Sequence, residues 1–273
     1  MQDSPKPGYL PDAERLSVLA ATILLAYALS RFVNLPGRQV AIQLPGIYLE
    51  AQVNIRTLVA LLVALLTAAG ADWLLRDHPA RGKKPIFEHW ILPALSALVI
   101  ALPLSQMPLS LTWWVGFALG GAALILVLVA EYIVLDPEDV RHPLASAGLI
   151  AISFALFLAL AVALRFSGAR LFLILPALTL AAGLVSLRAL HLRLHGRWIF
   201  VQAGLIALMI TQMVAALHYW PLEPVPYGLA LLGPAYALTS LFARLEEGEA
   251  VRQALVEPVV ILILVWGTAI WIR

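Results

Sequence analysis

The residues best suited to chemistry lie at the ends of long apolar runs. His191 and His195 are four residues apart, which on a helix is the spacing of paired metal ligands. Asp72, Asp77 or Glu131 would complete a set of nitrogen and oxygen ligands. These five residues are the candidate catalytic groups, and His191, His195 and Asp72 are the candidate metal ligands. One interpretation is therefore a metal-dependent enzyme that works at one surface of a lipid bilayer.

Several arginines accompany these candidates and would suit a phosphorylated lipid head group, namely Arg76, Arg188, Arg193 and Arg197. The alternative interpretation is structural, because charged residues at helix ends snorkel to the membrane boundary and contact lipid head groups in any chain of this kind. Asp72 and Arg76, for example, are four residues apart and can simply pair with each other on one helix face. The sequence leaves both interpretations open.

Some kinds of chemistry are excluded. The chain has no cysteine, which rules out disulfides, thiolate metal sites and cysteine nucleophiles. No lysine follows Lys84, so a late helix cannot carry a Schiff-base lysine. The motifs of serine hydrolases, phosphate-binding loops and dinucleotide-binding folds do not occur. The sequence therefore names no cofactor and does not decide whether the protein is an enzyme.

The composition places the chain in lipid. Of its 273 residues, 62% are hydrophobic and 12% are charged, which is far too apolar for a soluble domain. A helix of about 20 apolar residues spans the hydrocarbon layer of a bilayer. The basic residues cluster in short loops beside apolar runs, a pattern that indicates membrane topology rather than nucleic-acid binding. Membrane lipid is thus the expected partner.

Nine apolar runs predict a single all-α transmembrane domain over residues 1–273, a polytopic helical bundle of about nine transmembrane helices. The runs cover residues 16–33, 57–75, 86–104, 111–135, 145–166, 170–190, 198–217, 227–245 and 255–272. Lysine and arginine divide twelve to six between the two sides. The positive-inside rule then places the tail, residues 1–15, in the cytoplasm of a bacterium and the C-terminus outside its inner membrane. No cleaved signal peptide is expected.

The first outer loop, residues 34–56, is the only long one. Apolar and polar residues alternate on both sides of Pro45 and Gly46, which predicts a short β-hairpin in this extracytoplasmic loop. We expect the hairpin to lie on the helix ends and seal the bundle, or alternatively to serve as a lid or as a docking edge for a protein partner.

Three further patterns bear on packing and transport. Gly116 and Gly120 form a stripe typical of close helix contact, within the bundle or between copies of the chain. Trp113 is predicted to belong to an aromatic belt at the membrane boundary. The sequence ILPAL occurs at residues 91–95 and 174–178, and proline-kinked inverted repeats are typical of secondary transporters. The middle thirds of all nine runs lack Asp, Glu, Lys, Arg and His, which disfavours an ion pump.

Several segments, among them GADWLLRDHP, EHWILPAL and LRLHGRW, resemble an uncharacterised family of multi-pass bacterial membrane proteins. The resemblance covers most of the chain and implies no activity. The leading hypothesis is a binding or assembly protein with a polar cytoplasmic rim. The alternatives are a cytosol-facing enzyme that acts on a phosphorylated lipid with a metal, and a transporter of a neutral or amphipathic solute.

Overall fold

A computed structural model describes residues 11–32, 38–44, 47–53, 55–76, 78–79 and 87–272. Its helices are α1 (Ala13–Phe32), α2 (Ile55–Leu75), α3 (Glu88–Gln106), α4 (Leu111–Val134), α5 (His142–Phe166), α6 (Leu171–Arg193), α7 (Phe200–His218), α8 (Pro224–Glu246), α9 (Val251–Ala254) and α10 (Val256–Trp271). The remaining elements are two strands, β1 (Arg38–Leu44) and β2 (Ile47–Val53).

The described residues contain eight stretches that are helical, long and apolar enough to cross a membrane: α2 to α8, and α9 together with α10. Helices are expected there because a continuous segment in lipid must satisfy its own backbone hydrogen bonds. The protein is therefore a multi-pass membrane protein. Helix α1 lies over most of the first of the nine predicted runs, residues 16–33.

The predicted fold class needs a correction at its β-hairpin. Strands β1 and β2 pair antiparallel, with Val40 opposite Ala51 and Leu44 opposite Ile47. Their only substantial described contact is with each other, whereas the rest of the described chain is helical and has no strand. An isolated two-stranded ribbon is marginally stable at best in water. The hairpin is therefore removed from the fold class, and its predicted role in sealing the bundle is not supported.

The chain divides into two compact units, residues 1–136 and residues 137–273. Unit 1 contains α1 to α4, and unit 2 contains α5 to α10. The division falls within the predicted loop after the fourth transmembrane run. The single domain expected from the sequence stays a prediction.

Unit 1 uses its small residues for close contact between its own helices. A Cβ added at Gly120 of α4 would lie 2.6 Å from Ile100 Cγ2 of α3. A Cβ added at Gly121 would lie 3.0 Å from Leu24 Cδ2 of α1. These glycines therefore let α3 and α1 each pack closely against α4. A contact between copies of the chain through Gly116 and Gly120 stays a prediction.

Two tryptophans bond to carbonyl groups that a proline leaves without their usual helical partner. Pro108 has no N–H for Leu104, and Trp113 Nε1 donates to the Leu104 carbonyl oxygen at 3.0 Å. Pro234 likewise has no N–H for Ala230, and Trp266 Nε1 of α10 donates to the Ala230 oxygen at 3.3 Å. Trp113 is also 2% exposed, so its predicted place in a boundary belt is wrong.

The contact between α5 and α8 depends on Gly228. A Cβ added there would lie 2.7 Å from Val162 Cγ2 and 2.8 Å from Leu158 Cδ1. We expect Gly228→Ala to lower the free energy of unfolding by about 1–3 kcal/mol, because the two helices must separate or strain their side chains. Unfolding by a denaturing detergent in mixed micelles measures the change.

Gly204→Ala is the matched control, because a Cβ on Gly204 would meet nothing within 4 Å. Alanine is the better helix former, so this variant should be neutral or slightly more stable. Equal stability of the Gly228→Ala and Gly204→Ala variants would contradict the close contact.

The loop between α4 and α5 contains a compact acidic turn. Asp139 Oδ1 accepts the backbone N–H of Arg141 at 2.8 Å, and Asp139 Oδ2 accepts Nη2 of Arg141 at 3.0 Å. The side-chain hydrogen bond from Arg141, followed by the backbone bond, holds the pKa of Asp139 below its ordinary range. This loop lies outside the membrane-spanning helices, so the carboxylate is open to titration.

Lowering the pH should remove the stability that Asp139 contributes. A carboxyl group with a lowered folded pKa stabilises the protein above its unfolded pKa, about 3.9 for aspartate, and loses this effect as the pH falls through the folded pKa. We expect Asp139→Asn to melt below the wild type at neutral pH and to approach it in acid. Melting in detergent from neutral pH downward tests this, and a gap independent of pH would contradict it.

Candidate functional site

The most buried ionisable contact described in unit 1 joins His89 to Glu131. His89 Nδ1 lies 2.6 Å from Glu131 Oε2, and the two side chains are 5% and 1% exposed. With the carboxylate ionised, the ring N–H on Nδ1 donates and Glu131 accepts. Such a charge-assisted bond is short and strong, and ionisable residues inside transmembrane helices mark functional sites by default.

Helix geometry explains why these two side chains are buried. His89 lies in the first turn of α3 and shares its inward face with Leu92 and Ser96, which follow at intervals of three and four residues. Glu131 lies in the last turn of α4 beside buried Ala130 and Tyr132. Sequence reasoning selected Glu131 but missed His89 as its partner. The helical spacing of His89 with Leu92 and Ser96 was the available signal.

The other candidates of unit 1 lie in the last turns of α2 or directly after it in the sequence. Arg76 Nη2 and Asp72 Oδ2 are 3.1 Å apart, as the spacing of four predicted. His78, after the end of α2, packs edge-on against Tyr132 of α4 with ring centroids 4.4 Å apart. Asp77 lies outside the described residues. The described contacts therefore join His89 of α3 to Glu131 of α4 and His78 to Tyr132 of α4, whereas Asp72 and Arg76 are paired with each other on α2.

In unit 2, Arg188 determines what His191 can do. Arg188 is fully buried on α6, and its Nη1 lies 3.3 Å from His191 Nδ1. A guanidinium group only donates, so Nδ1 must accept and the ring proton is on Nε2. Metal binding through Nε2 would require the proton to move to Nδ1, where it would face the arginine N–H. This contact disfavours His191 as a metal ligand.

His195 does not share the helical face of His191. Helix α6 ends at Arg193, and His195 has a φ of 52° outside it. Gly196 follows with a φ of 86°, which is the left-handed conformation that favours glycine after a helix. The spacing of four residues therefore no longer implies neighbouring rings. Among the described residues, no group of three or more His, Asp or Glu side chains is arranged to hold a metal ion.

A polar network ties together helices of unit 2. Arg193 of α6 donates from Nη2 to Tyr236 Oη of α8 at 3.2 Å. The Tyr236 hydroxyl in turn donates to Glu257 Oε1 of α10 at 3.3 Å. Glu257 also accepts from Arg244 of α8, whose Nη1 lies 3.0 Å from Glu249 Oε2. One continuous chain of hydrogen bonds thus connects α6, α8 and α10.

A second set of contacts links α8 to α7 and to the loop before it. Arg197 Nη2 donates to Glu246 Oε2 at 3.0 Å, and Gln202 Nε2 donates to Glu246 Oε1 at 2.7 Å. We define the unit 2 rim by three cations and three anions, namely Arg193, Arg197, Arg244, Glu246, Glu249 and Glu257. The charges of the rim balance. Arg193 and Arg197 therefore already have internal partners, although binding of a lipid phosphate by the four candidate arginines stays a prediction.

A family model described as a protein of unknown function, DUF5656, matches residues 35–272. The chain belongs to the DUF5656 family. Membership of an uncharacterised family that covers most of the chain confirms the resemblance inferred from the sequence. No curated protein matches the chain, and no solved structure does. The DUF5656 family carries no described activity, so the contacts within each unit must support any functional proposal.

Proposed function

We propose that this DUF5656 protein is a binding or assembly component of the bacterial inner membrane. The observation that carries the proposal is the balanced rim of unit 2, where each named arginine bonds to a side chain of a neighbouring helix or of the following loop. Polar side chains used in this way fix helices against one another. They therefore support a framework role more directly than a role in substrate conversion.

The rim fixes two helices that turn most of their apolar side chains outward. Helix α7 exposes Leu208 and Met209, each at 53%, and α10 exposes Ile263 and Leu264 at 65% and 62%. In a membrane, such surfaces contact lipid tails or transmembrane helices of another protein. A rigid frame with an apolar outer surface is suited to holding a place within a larger membrane assembly.

Extraction in polymer-bounded native nanodiscs, followed by native mass spectrometry, tests this proposal. We expect a discrete species of fixed stoichiometry, heavier than the single chain of 29.6 kDa. Glu257→Gln, which weakens the rim, should reduce the heavier species. Arg252→Gln, a change at an exposed side chain of α9, should leave it unchanged. A single chain with lipid alone would overturn the proposal.

The proposed orientation places the N-terminus in the cytoplasm and the C-terminus outside. The excess of lysine and arginine on one side of the predicted spans supports it. An alkaline phosphatase fused after residue 273 should therefore be active, while a green fluorescent protein fused there should stay dark. The same two reporters fused to the N-terminus should give the opposite result. Bright fluorescence at the C-terminus would contradict this orientation.

The enzyme and transporter alternatives stay predictions. The enzyme alternative draws on Asp72, Asp77, His191 and His195, and the transporter alternative draws on kinked third and sixth helices. Prolines do lie inside the corresponding helices, Pro93 in α3 and Pro176 in α6. Prolines are tolerated in transmembrane helices for packing reasons as well, so their presence does not favour transport over assembly.

A further inference from the structure

The start of α3 places one imidazole ring between two carboxylates. His89 Nδ1 lies 2.6 Å from Glu131 Oε2, and His89 Nε2 lies 3.9 Å from Glu88 Oε1. The contact between His89 Nδ1 and Glu131 Oε2 is a hydrogen bond. The second contact is at an ion-pair distance, longer than a direct hydrogen bond, and a small rotation of the Glu88 side chain would bring the two atoms into hydrogen-bond range. Each ring nitrogen of His89 thus faces its own acid.

The three side chains differ in their access to water. Glu88 is 17% exposed, His89 is 5% exposed and Glu131 is 1% exposed. Glu88 is also the first residue of its membrane-spanning helix. The order Glu88, His89, Glu131 therefore leads from the membrane boundary to a buried carboxylate in three steps.

We propose that Glu88, His89 and Glu131 form a proton relay that loads and unloads the buried Glu131 carboxylate. Water at the boundary supplies the proton to Glu88. The Glu88 O–H bond then breaks as an N–H bond forms at His89 Nε2, while the N–H bond at Nδ1 breaks as an O–H bond forms on Glu131. One proton enters and one proton is delivered, so the ring returns to a neutral state in its other tautomer.

The relay goes beyond a role in assembly. When Glu131 is protonated it no longer carries the negative charge that bonds to His89, so the relay controls the contact between α3 and α4. Ionisable side chains of unit 1 are carried by the same two helices and by α2 with the residues that follow it. Helix α3 contributes Glu88 and His89, and α4 contributes Glu131 and Tyr132. The end of α2 contributes the Asp72 and Arg76 pair and His78, which packs on Tyr132.

Exchange of the His89 Nδ1 proton with deuterium tests the relay in lipid nanodiscs. NMR of protein labelled with ¹⁵N-histidine detects this proton, and loss of its signal in His89→Gln assigns it among the six histidines. We expect Glu88→Gln to slow the exchange about a hundredfold, because general acid and base catalysis contributes factors of about 10²–10⁴. Glu223→Gln, at an exposed residue before α8, is the matched control and should exchange like the wild type.

The direction of the change separates the relay from a structural role. If Glu88 only supports the fold, its loss leaves exchange unchanged or makes it faster through local opening. Either result would overturn the relay. If Glu88→Gln does not fold, Glu88→Asp provides the same comparison, since it withdraws the carboxylate by one methylene and should also slow exchange. An unchanged rate in that variant would overturn the relay as well.

Discussion

Replacing Glu131 with leucine should lower the free energy of unfolding by about 3–5 kcal/mol, the usual cost of removing one partner of a buried ionic pair. The reason is that Glu131 and His89 are almost fully buried and 2.6 Å apart, so the change leaves His89 without this acceptor. Unfolding by a denaturing detergent in mixed micelles measures the loss. It should be the largest effect of any single substitution in unit 1.

The double variant His89→Leu/Glu131→Leu separates the buried pair from simple packing. Well-packed apolar residues often replace a buried ionic pair at no cost, so the double variant should recover most of the lost stability. Glu14→Leu, at an exposed residue in the first turn of α1, is the control and should change stability by no more than about 0.5 kcal/mol. A Glu131→Leu variant as stable as this control would refute the importance of the pair.

The second large effect is expected at Arg165, in the last turn of α5. Its guanidinium donates to the carbonyl oxygens of His218, Trp220 and Leu222 at 2.9, 2.8 and 3.3 Å. These carbonyls lie at the end of α7 and in the loop to α8, where no further helical turn satisfies them. Arg165→Leu should therefore destabilise unit 2 by about 3 kcal/mol, the upper part of the range for one charged hydrogen bond.

Lysine at position 165 is an informative comparison. It keeps the positive charge but lacks the planar fork that bonds to several carbonyls at once, so Arg165→Lys should recover less than half of the loss. Arg170→Leu, just before α6 and exposed, should have little effect. The melting temperature in detergent compares the three variants. Equal melting of Arg165→Leu and Arg170→Leu would show that the carbonyl contacts contribute nothing.

Much of the helical architecture could be predicted from the sequence. The predicted runs 111–135 and 198–217 correspond to the helices Leu111–Val134 and Phe200–His218. A continuous segment in lipid can satisfy its own backbone hydrogen bonds only as a helix, so hydropathy alone locates such helices. The hairpin was not correctly assigned to the fold, because alternation of residue types indicates local pairing but not attachment to a core.

The partners of the polar side chains could not be predicted in the same way. His89 and Glu131 are 42 residues apart in the chain, and no local pattern links them. His191 and His195 have the spacing of paired ligands, yet α6 ends between them. Trp113 is of a residue type that is common at the membrane boundary, yet its side chain is buried and bonds to the Leu104 carbonyl oxygen. In each case the rotation of a helix and its exact end decided the outcome.

The sequence by itself determined that this is a multi-pass membrane protein, where its helices run and that the centres of the predicted spans lack Asp, Glu, Lys, Arg and His. These properties follow from hydropathy and helical period, which act along the chain. Only the tertiary structure decided that His89 meets Glu131 and that the rim of unit 2 is balanced internally. The physical reason is that such pairs depend on how closely neighbouring helices approach and how they are rotated, and contacts such as Gly120 against Ile100 set both.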